Sequence, residues 1–248
     1  MAPTVSILIP CFNQSTAYLR AALFSAKMQT HPCQIVVVDD GSRPAQEEIV
    51  DAVLARSVVG GWTANYCYHW QENGGVASAL NKAIELSDGA YVQWLPSDDL
   101  FMPRKTEVQL QAMLDADMAV SFCAYEEGIP QPVNTWPAAQ YPSREHLFTM
   151  LCQHSFINAV TVMWRRDVFE EVGTFNKEMI HLNDSEFILR CAERYQFLAV
   201  NEPLVRRRTH PGQMSQTLKD PAERAKKERD VAYVNQRYGA SLKVWVPQ

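Results

Sequence analysis

The chain lacks most of the signals that assign function at a glance. No apolar run approaches the ~20 residues needed to cross a bilayer. There is no Walker A loop, and no GxGxxG follows the first apolar strand, so a dinucleotide-binding fold is disfavoured. Basic residues are not in excess: 23 Lys and Arg stand against 28 Asp and Glu, a net charge of −5. A mildly acidic chain gives no footprint for nucleic acid, which requires a basic face. The six cysteines are scattered, without a CxxC pair, and the six histidines show no HExxH spacing. That excludes a dense disulfide framework and a zinc site of common spacing, and leaves reduced, mostly buried thiols. The N-terminus has no basic region followed by an apolar stretch of signal-peptide length. The expected location is therefore cytoplasmic, with docking on a membrane surface left open.

What is present is a packed, soluble composition: 248 residues, 47% of them hydrophobic. That suits one large α/β domain or two small ones. Residues 5–10 (VSILIP) form a β-branched apolar run ended by proline, which predicts a buried strand. A helix is expected over 17–28 and a second strand over 35–38. A helix at 46–54 and a weaker strand at 65–70 follow. In residues 76–86, Val76, Ala79, Leu80, Ala83 and Ile84 fall at helical spacing. Residues 91–95 read as a strand, Pro103 as the first turn of a helix, and 118–124 as a further strand. This alternation implies a mainly parallel sheet covered on both faces, with ligands at the carboxyl ends of its strands. Beyond it, residues 127–142 read as a proline-rich loop, 158–164 as a strand, 184–195 as a helix, 197–206 as extended, and 222–238 as a charged helix. One compact domain with two subregions, 1–125 and 126–248, fits this pattern.

Two acidic pairs, Asp39-Asp40 and Asp98-Asp99, each follow an apolar strand, so topology puts both on one rim. Adjacent carboxylates repel, and a hard divalent cation offsets that cost. Asp98-Asp99 therefore reads either as a metal loop or as a solvated turn in which Asp99 caps the helix at Pro103. Asp39-Asp40-Gly41-Ser42 reads either as a turn or as a carboxylate that binds a base or ribose. Asn73-Gly74-Gly75 permits close backbone approach before the 76–86 helix. Asp184 and Glu186 open a helix, either matching its dipole or supplying a general base. Arg206-Arg207-Arg208 and His210 are a solvated edge or a means of neutralising a diphosphate.

Taken in order, these segments resemble the inverting glycosyltransferases of family 2, which have the GT-A fold. The likeness runs from Val5 to about Ser215. Val5–Asn13 resembles the family's first strand and its P-x-[YF]-N end, and Val36–Ser42 its nucleotide-reading strand end. Glu72–Asn81 is similar to the N-x-G-x-x-x-A-x-N segment, and Leu95–Pro103 to the metal loop. Gly173-Thr174-Phe175 and Asn183–Arg190 resemble the acceptor-side G-x-F … E-D-x-[DE]-x-x-x-R block. Each motif is weak; five in order are strong.

The resemblance implies a nucleotide-sugar-binding subdomain in the first half, Rossmann-like, and an acceptor-binding one in the second. It implies transfer from a nucleoside diphosphate sugar, UDP foremost, to a hydroxyl of a glycan, lipid-linked or other acceptor, with Mn²⁺ or Mg²⁺ as cofactor. Asp184 would be the base, Asp98 the metal ligand with Asp99 behind it, and Asp40 the base-binding residue with Asp39 alongside. Pro10, Phe12, Asn13, Asn73, Asn81, Ser97, Arg206 and His210 complete the expected donor site. Two positions depart from the pattern. Pro96 stands where the metal loop has its first Asp, removing one carboxylate. Asn183 stands where the base motif begins with Glu. These departures support one alternative, a non-catalytic nucleotide-binding module of the same fold. A sugar-nucleotide pyrophosphorylase would need a Gly-rich, Arg-containing loop after the first strand, which Pro10-Cys11-Phe12-Asn13 does not supply.

Overall fold

A computed structural model describes residues 4–55, 65–128, 131, 133–210, 213 and 218–243. The N-terminal residues 1–3 and the far limit of the family likeness, Ser215, lie outside them. Strand β1 (Val5–Cys11) is buried at every position. Its parallel neighbours are β2 (Cys33–Asp39) on one side and β4 (Tyr91–Trp94) on the other, and β2 in turn pairs with β3 (Asn65–Trp70). Parallel strands buried on both faces require continuous apolar sequence, as Ile35–Val38 shows, each residue fully buried.

The helices cover both faces. One face packs Ile7, Ile9, Ile35 and Val37 against Leu19 and Leu23 of α1 (Thr16–Lys27), Val50 of α2 (Glu47–Leu54) and Leu110 of α4 (Lys105–Ala116). The other packs Leu8, Val36 and Val38 against Leu80 and Ala83 of α3 (Val76–Leu86). The same face continues into the second half through Trp164 and Phe187, whose rings lie 5.8 Å apart.

Among the described residues the sheet has nine strands, in the order β3-β2-β1-β4-β8-β6-β9-β5, with β7 paired to β6. The elements not yet placed are β5 (Leu100–Phe101), β6 (Val120–Glu127), β7 (Asn134–Trp136), β8 (Val162–Arg165) and β9 (Phe197–Arg207). β8 lies between β4 and β6 and is antiparallel to both. The parallel run read from the first 125 residues is therefore interrupted by a strand from the second half. β6 and β9 pair in parallel.

Several local expectations change. Pro103 does not open a helix: α4 starts at Lys105, after the short strand β5, whose Phe101 is buried. Residues 158–161 begin as a 3-10 turn because the Asn158 side chain accepts from the Val160 N–H. Residues 127–142 contain β7. Helices α5 (Arg144–Gln153) and α6 (Asp167–Val172) were not read from the sequence. Helix α7 (Asn183–Ala192) carries Asp184 in its first turn, and α8 (Pro221–Tyr238) closes the described chain with Asp220 as its N-cap. No helix among the described residues is long and apolar enough to cross a membrane.

Candidate active site

The ends of β1 and β4 converge on a cleft of about 940 Å³. Pro10, Phe12, Ser97, Asp98, Asp99 and Asp184 are among the residues lining it, as are Pro96, Asn183 and Arg207. A smaller cavity of about 350 Å³ adjoins it through Phe12 and is lined by Asn13, Gly41, Arg43, Trp70, Glu72 and Asn73. Phe12 is 52% exposed, unusual for a large apolar side chain, and borders both spaces.

The two carboxylates of the first acidic pair do different work. Asp39 is fully buried. Its oxygens accept from the Ser42 N–H at 2.8 Å, the Gln46 N–H at 2.9 Å and the Tyr68 hydroxyl at 2.8 Å. It fastens the turn after β2 and presents no face to a ligand, so its expected place in the donor site is not observed. Asp40 reaches across to the next loop. It accepts from the Gly74 N–H at 2.9 Å, the Gly75 N–H at 2.8 Å and the Gln71 amide at 2.7 Å. A carboxylate has about four acceptor positions, so three such bonds leave it one. Asn73 donates to the Asp40 carbonyl at 2.9 Å, drawing the same loops together. At Gly41 the φ is +90° and an added Cβ would lie 2.8 Å from the Asn73 nitrogen, so both conformation and space call for glycine. Asn13, at φ +44°, donates its N–H to Ser42 Oγ at 2.7 Å and accepts from the Arg43 N–H at 2.9 Å.

The second pair lies on the cleft wall. Asp98 is part-exposed, and its Oδ2 lies 3.1 Å from His210 Nε2. Asp99 sits behind it, 5% exposed, accepting from the Arg208 N–H at 2.8 Å. Burial, and then the neighbouring Asp98 charge, pushes the Asp99 carboxyl up to about 7. Asp99 therefore braces the loop and caps no helix. Arg208 also donates to the Asp98 carbonyl and to the Tyr18 carbonyl. The Tyr18 ring stacks on His210 with centroids 4.4 Å apart. These bonds pin the segment after β9 against the acidic loop. Among the described residues no group of three or more His, Cys, Asp or Glu is placed to enclose a metal ion. The donors present nevertheless fit Mg²⁺ or Mn²⁺, which bind through one or two carboxylates and complete their shell with water and phosphate oxygens.

Asp184 sits on the opposite side of the molecule's sequence yet on the same cleft. Its Oδ1 accepts from the Ser185 N–H at 2.7 Å. Burial raises its pKa above the ordinary carboxylate value. Asn183 is buried and donates to the Ile180 carbonyl, away from Asp184. Glu186 pairs with Arg190 at 2.8 Å and accepts from the Tyr238 hydroxyl at 2.7 Å, a structural role.

Two further expectations are corrected. Arg206 is bound to Glu126 at 2.7 Å and does not line the cleft; Arg207 does. The pairing of β6 with β9 puts Glu126 beside Arg206 and Glu127 beside Arg207, so residue 127 ends a strand and does not begin a loop. Asn81 also lies off the cleft. Its amide donates to the Phe175 carbonyl and accepts from the Phe175 N–H, both at 2.9 Å, clasping α3 to the segment before α7. Gln14 and Trp70, which also line these cavities, carried no sequence signal beyond lying near a strand end.

The family model described as glycosyl transferase family 2 matches residues 6–173. The chain belongs to glycosyl transferase family 2. An uncharacterized glycosyltransferase of Rickettsia typhi is 31% identical over 232 residues, spanning 90% of this chain and 69% of that one. Among solved structures, S. aureus TarS 1-349 in complex with UDP superposes with a TM-score of 0.68 at 18% identity, covering 96% of this chain and 72% of that one. The mannosyltransferase PcManGT of Pyrobaculum calidifontis, in complex with GDP-Man and Mn²⁺, gives 0.63 at 16% identity, covering 96% and 70%. At these identities the structural likeness establishes the fold, which is GT-A.

Proposed function

We propose that this family 2 glycosyltransferase moves a sugar from a nucleoside diphosphate sugar, UDP foremost, to an acceptor hydroxyl with inversion. The observation that carries the reading is that Asp98 and Asp184, far apart in sequence, line one cleft together with Pro10, Phe12 and Ser97. A diphosphate leaving group and an activated hydroxyl must meet at one carbon, and this cleft brings the residue types for both together. The choice of UDP is supported by the UDP complex of TarS, and a divalent cation by the Mn²⁺ in PcManGT.

In this reading residues 1–125 bind the donor and 126–248 the acceptor within one GT-A domain. Phe12 and Trp70 border the base in the smaller cavity, with Asn13 and Asn73 for polar contacts. Asp40, buried and lining neither cavity, holds the Gly74-Gly75 turn behind it and would reach the base only through its one remaining acceptor position. Asp98 holds the cation, with His210 beside it and Asp99 keeping the loop in place. When bound, that cation supplies charge neutralisation of the departing diphosphate. Arg207 contributes from the cleft wall in place of Arg206. Asp184 takes the proton of the acceptor hydroxyl as it attacks the anomeric carbon and the bond to the diphosphate oxygen breaks. A single displacement inverts that carbon. General-base help of this kind contributes about 10²–10⁴-fold.

The test is turnover of a panel of UDP-sugars and GDP-mannose with Mn²⁺, with and without acceptors, alongside nucleotide binding by calorimetry. Release of nucleotide supports the proposal. Nucleotide binding without turnover would instead favour a non-catalytic module, the reading that Pro96 and Asn183 suggest. Neither binding nor turnover would remove both.

A further inference from the structure

A second cleft, of about 930 Å³, meets the first at Asp184, His181 and Arg207. Its lining is cationic, unlike the chain as a whole. Arg207, Lys227 and Lys243 line it, against the single carboxylate of Asp184. Arg207 is neutralised by Glu127 at 2.9 Å, so the two lysines carry the local charge. Lys227 is half-buried on α8 and lines this cleft but not the donor cleft. On the same helix Lys226, Arg224 and Arg229 each have a carboxylate partner. Lys227 has no carboxylate within ion-pair distance among the described residues; burial lowers its pKa, and the nearby Asp184 charge acts in the opposite direction. Among the described residues Asp184 is the one carboxylate lining the cleft beside the two lysines, so the positive charge there exceeds the negative and a bound anion would balance it. The remaining lining is mixed: Leu182, Val231 and Leu242 lie beside polar groups that include Ser155 Oγ and Ser185 Oγ, hydrogen-bonded at 2.7 Å.

Building on the glycosyl-transfer reading, we infer that the acceptor enters by this second cleft and carries an anionic group, phosphate or carboxylate. That group sits against Lys227 and Lys243 while a hydroxyl of the same molecule reaches Asp184. The arrangement separates the two negatively charged substrates: the donor diphosphate lies at the acidic loop with its cation, the acceptor anion on the lysine side of Asp184.

The experiment uses the full chain saturated with UDP and Mn²⁺, which fills the donor cleft and keeps anionic probes out of it. Glucose 6-phosphate, glucuronate and glucose are titrated and followed by saturation-transfer NMR. The anionic probes should bind at least about 10-fold more tightly than glucose, since each 1.4 kcal/mol is tenfold. The phosphate and carboxylate arms say which anion is preferred. In the Lys227→Gln/Lys243→Gln double variant that preference should collapse while UDP affinity, measured in the same sample, is kept. Equal binding of the three probes, no binding of either anion, or a preference that survives the double substitution would overturn the inference. Failure of the wild type to bind UDP would instead count against the glycosyl-transfer reading, so the two failures are distinguishable.

Discussion

At the scale of single residues, neighbours in sequence have parted company. Asp39 and Asp40 are adjacent, but alternation along an extended strand end sends them to opposite sides. Asp39 is buried beneath three donors, and Asp40 closes the Gly74-Gly75 turn. Asp39→Ala would strand buried donors, each costing about 1–3 kcal/mol. The expected outcome is a loss of several kcal/mol in denaturant unfolding, a fold effect rather than a binding effect. Asp184 makes a prediction with a definite sign. Burial raises its pKa, so the proposed base is fully ionised only at higher pH than an ordinary carboxylate. The acid limb of kcat/KM against pH should fall above the usual carboxylate range. The same shift acts on stability. A folded-state pKa above the unfolded value stabilises below the unfolded pKa, and that contribution is lost as pH rises through the folded one. Asp184→Asn should therefore raise Tm at neutral pH and leave it nearly unchanged at low pH, as thermal scans at both would show.

At the scale of elements, the site depends on clasps between segments that are distant in sequence. Asn81 joins α3 to Phe175 by two bonds at 2.9 Å. Its appearance inside a donor-side motif made it look like a ligand contact. Its position on the buried flank of a helix makes it a staple. Asn81→Ala should lower stability by about 1–3 kcal/mol and leave UDP affinity of the folded protein unchanged; a selective loss of UDP binding would restore it to the donor site. The acidic loop shows the same logic. It is held from behind by Arg208, whose backbone N–H reaches Asp99 and whose guanidinium reaches the Asp98 carbonyl. Asp98→Ala should weaken UDP binding in Mn²⁺ by about tenfold or more and change little in EDTA, since one carboxylate supplies much of the cation's protein anchorage. Equal loss in both media would assign Asp98 a structural role.

At the scale of the whole molecule, the first half was legible because its physics is local. Short continuous β-branched runs closed by Pro or Gly fit doubly buried strands, and i, i+3, i+4 spacing marks α3. The placing of both acidic pairs, Asp39-Asp40 and Asp98-Asp99, on one rim follows from strand direction alone. What sequence hid was set by long-range pairing. β8 inserts antiparallel between β4 and β6, which no local pattern announces. The pairing of β6 with β9 makes the basic run part of a strand, whose successive side chains face opposite ways, and Arg207 rather than Arg206 meets the cleft. The lysines beyond Asp184 come from α8, legible only as a charged helix, and from the segment after it, which carries no pattern of its own. The family motifs located Asp184, but only the fold places it between two clefts, one lined by the acidic loop and one by lysines.

The central claim is that Asp184 serves the chemistry and not the donor's binding. The direct measurement compares wild type with Asp184→Asn, reading UDP affinity by calorimetry and sugar transfer by mass spectrometry on the same preparations. The account predicts UDP affinity within about twofold of wild type and transfer reduced by about 10²–10⁴-fold. Unchanged transfer in the variant, or loss of UDP binding in parallel with transfer, would contradict it.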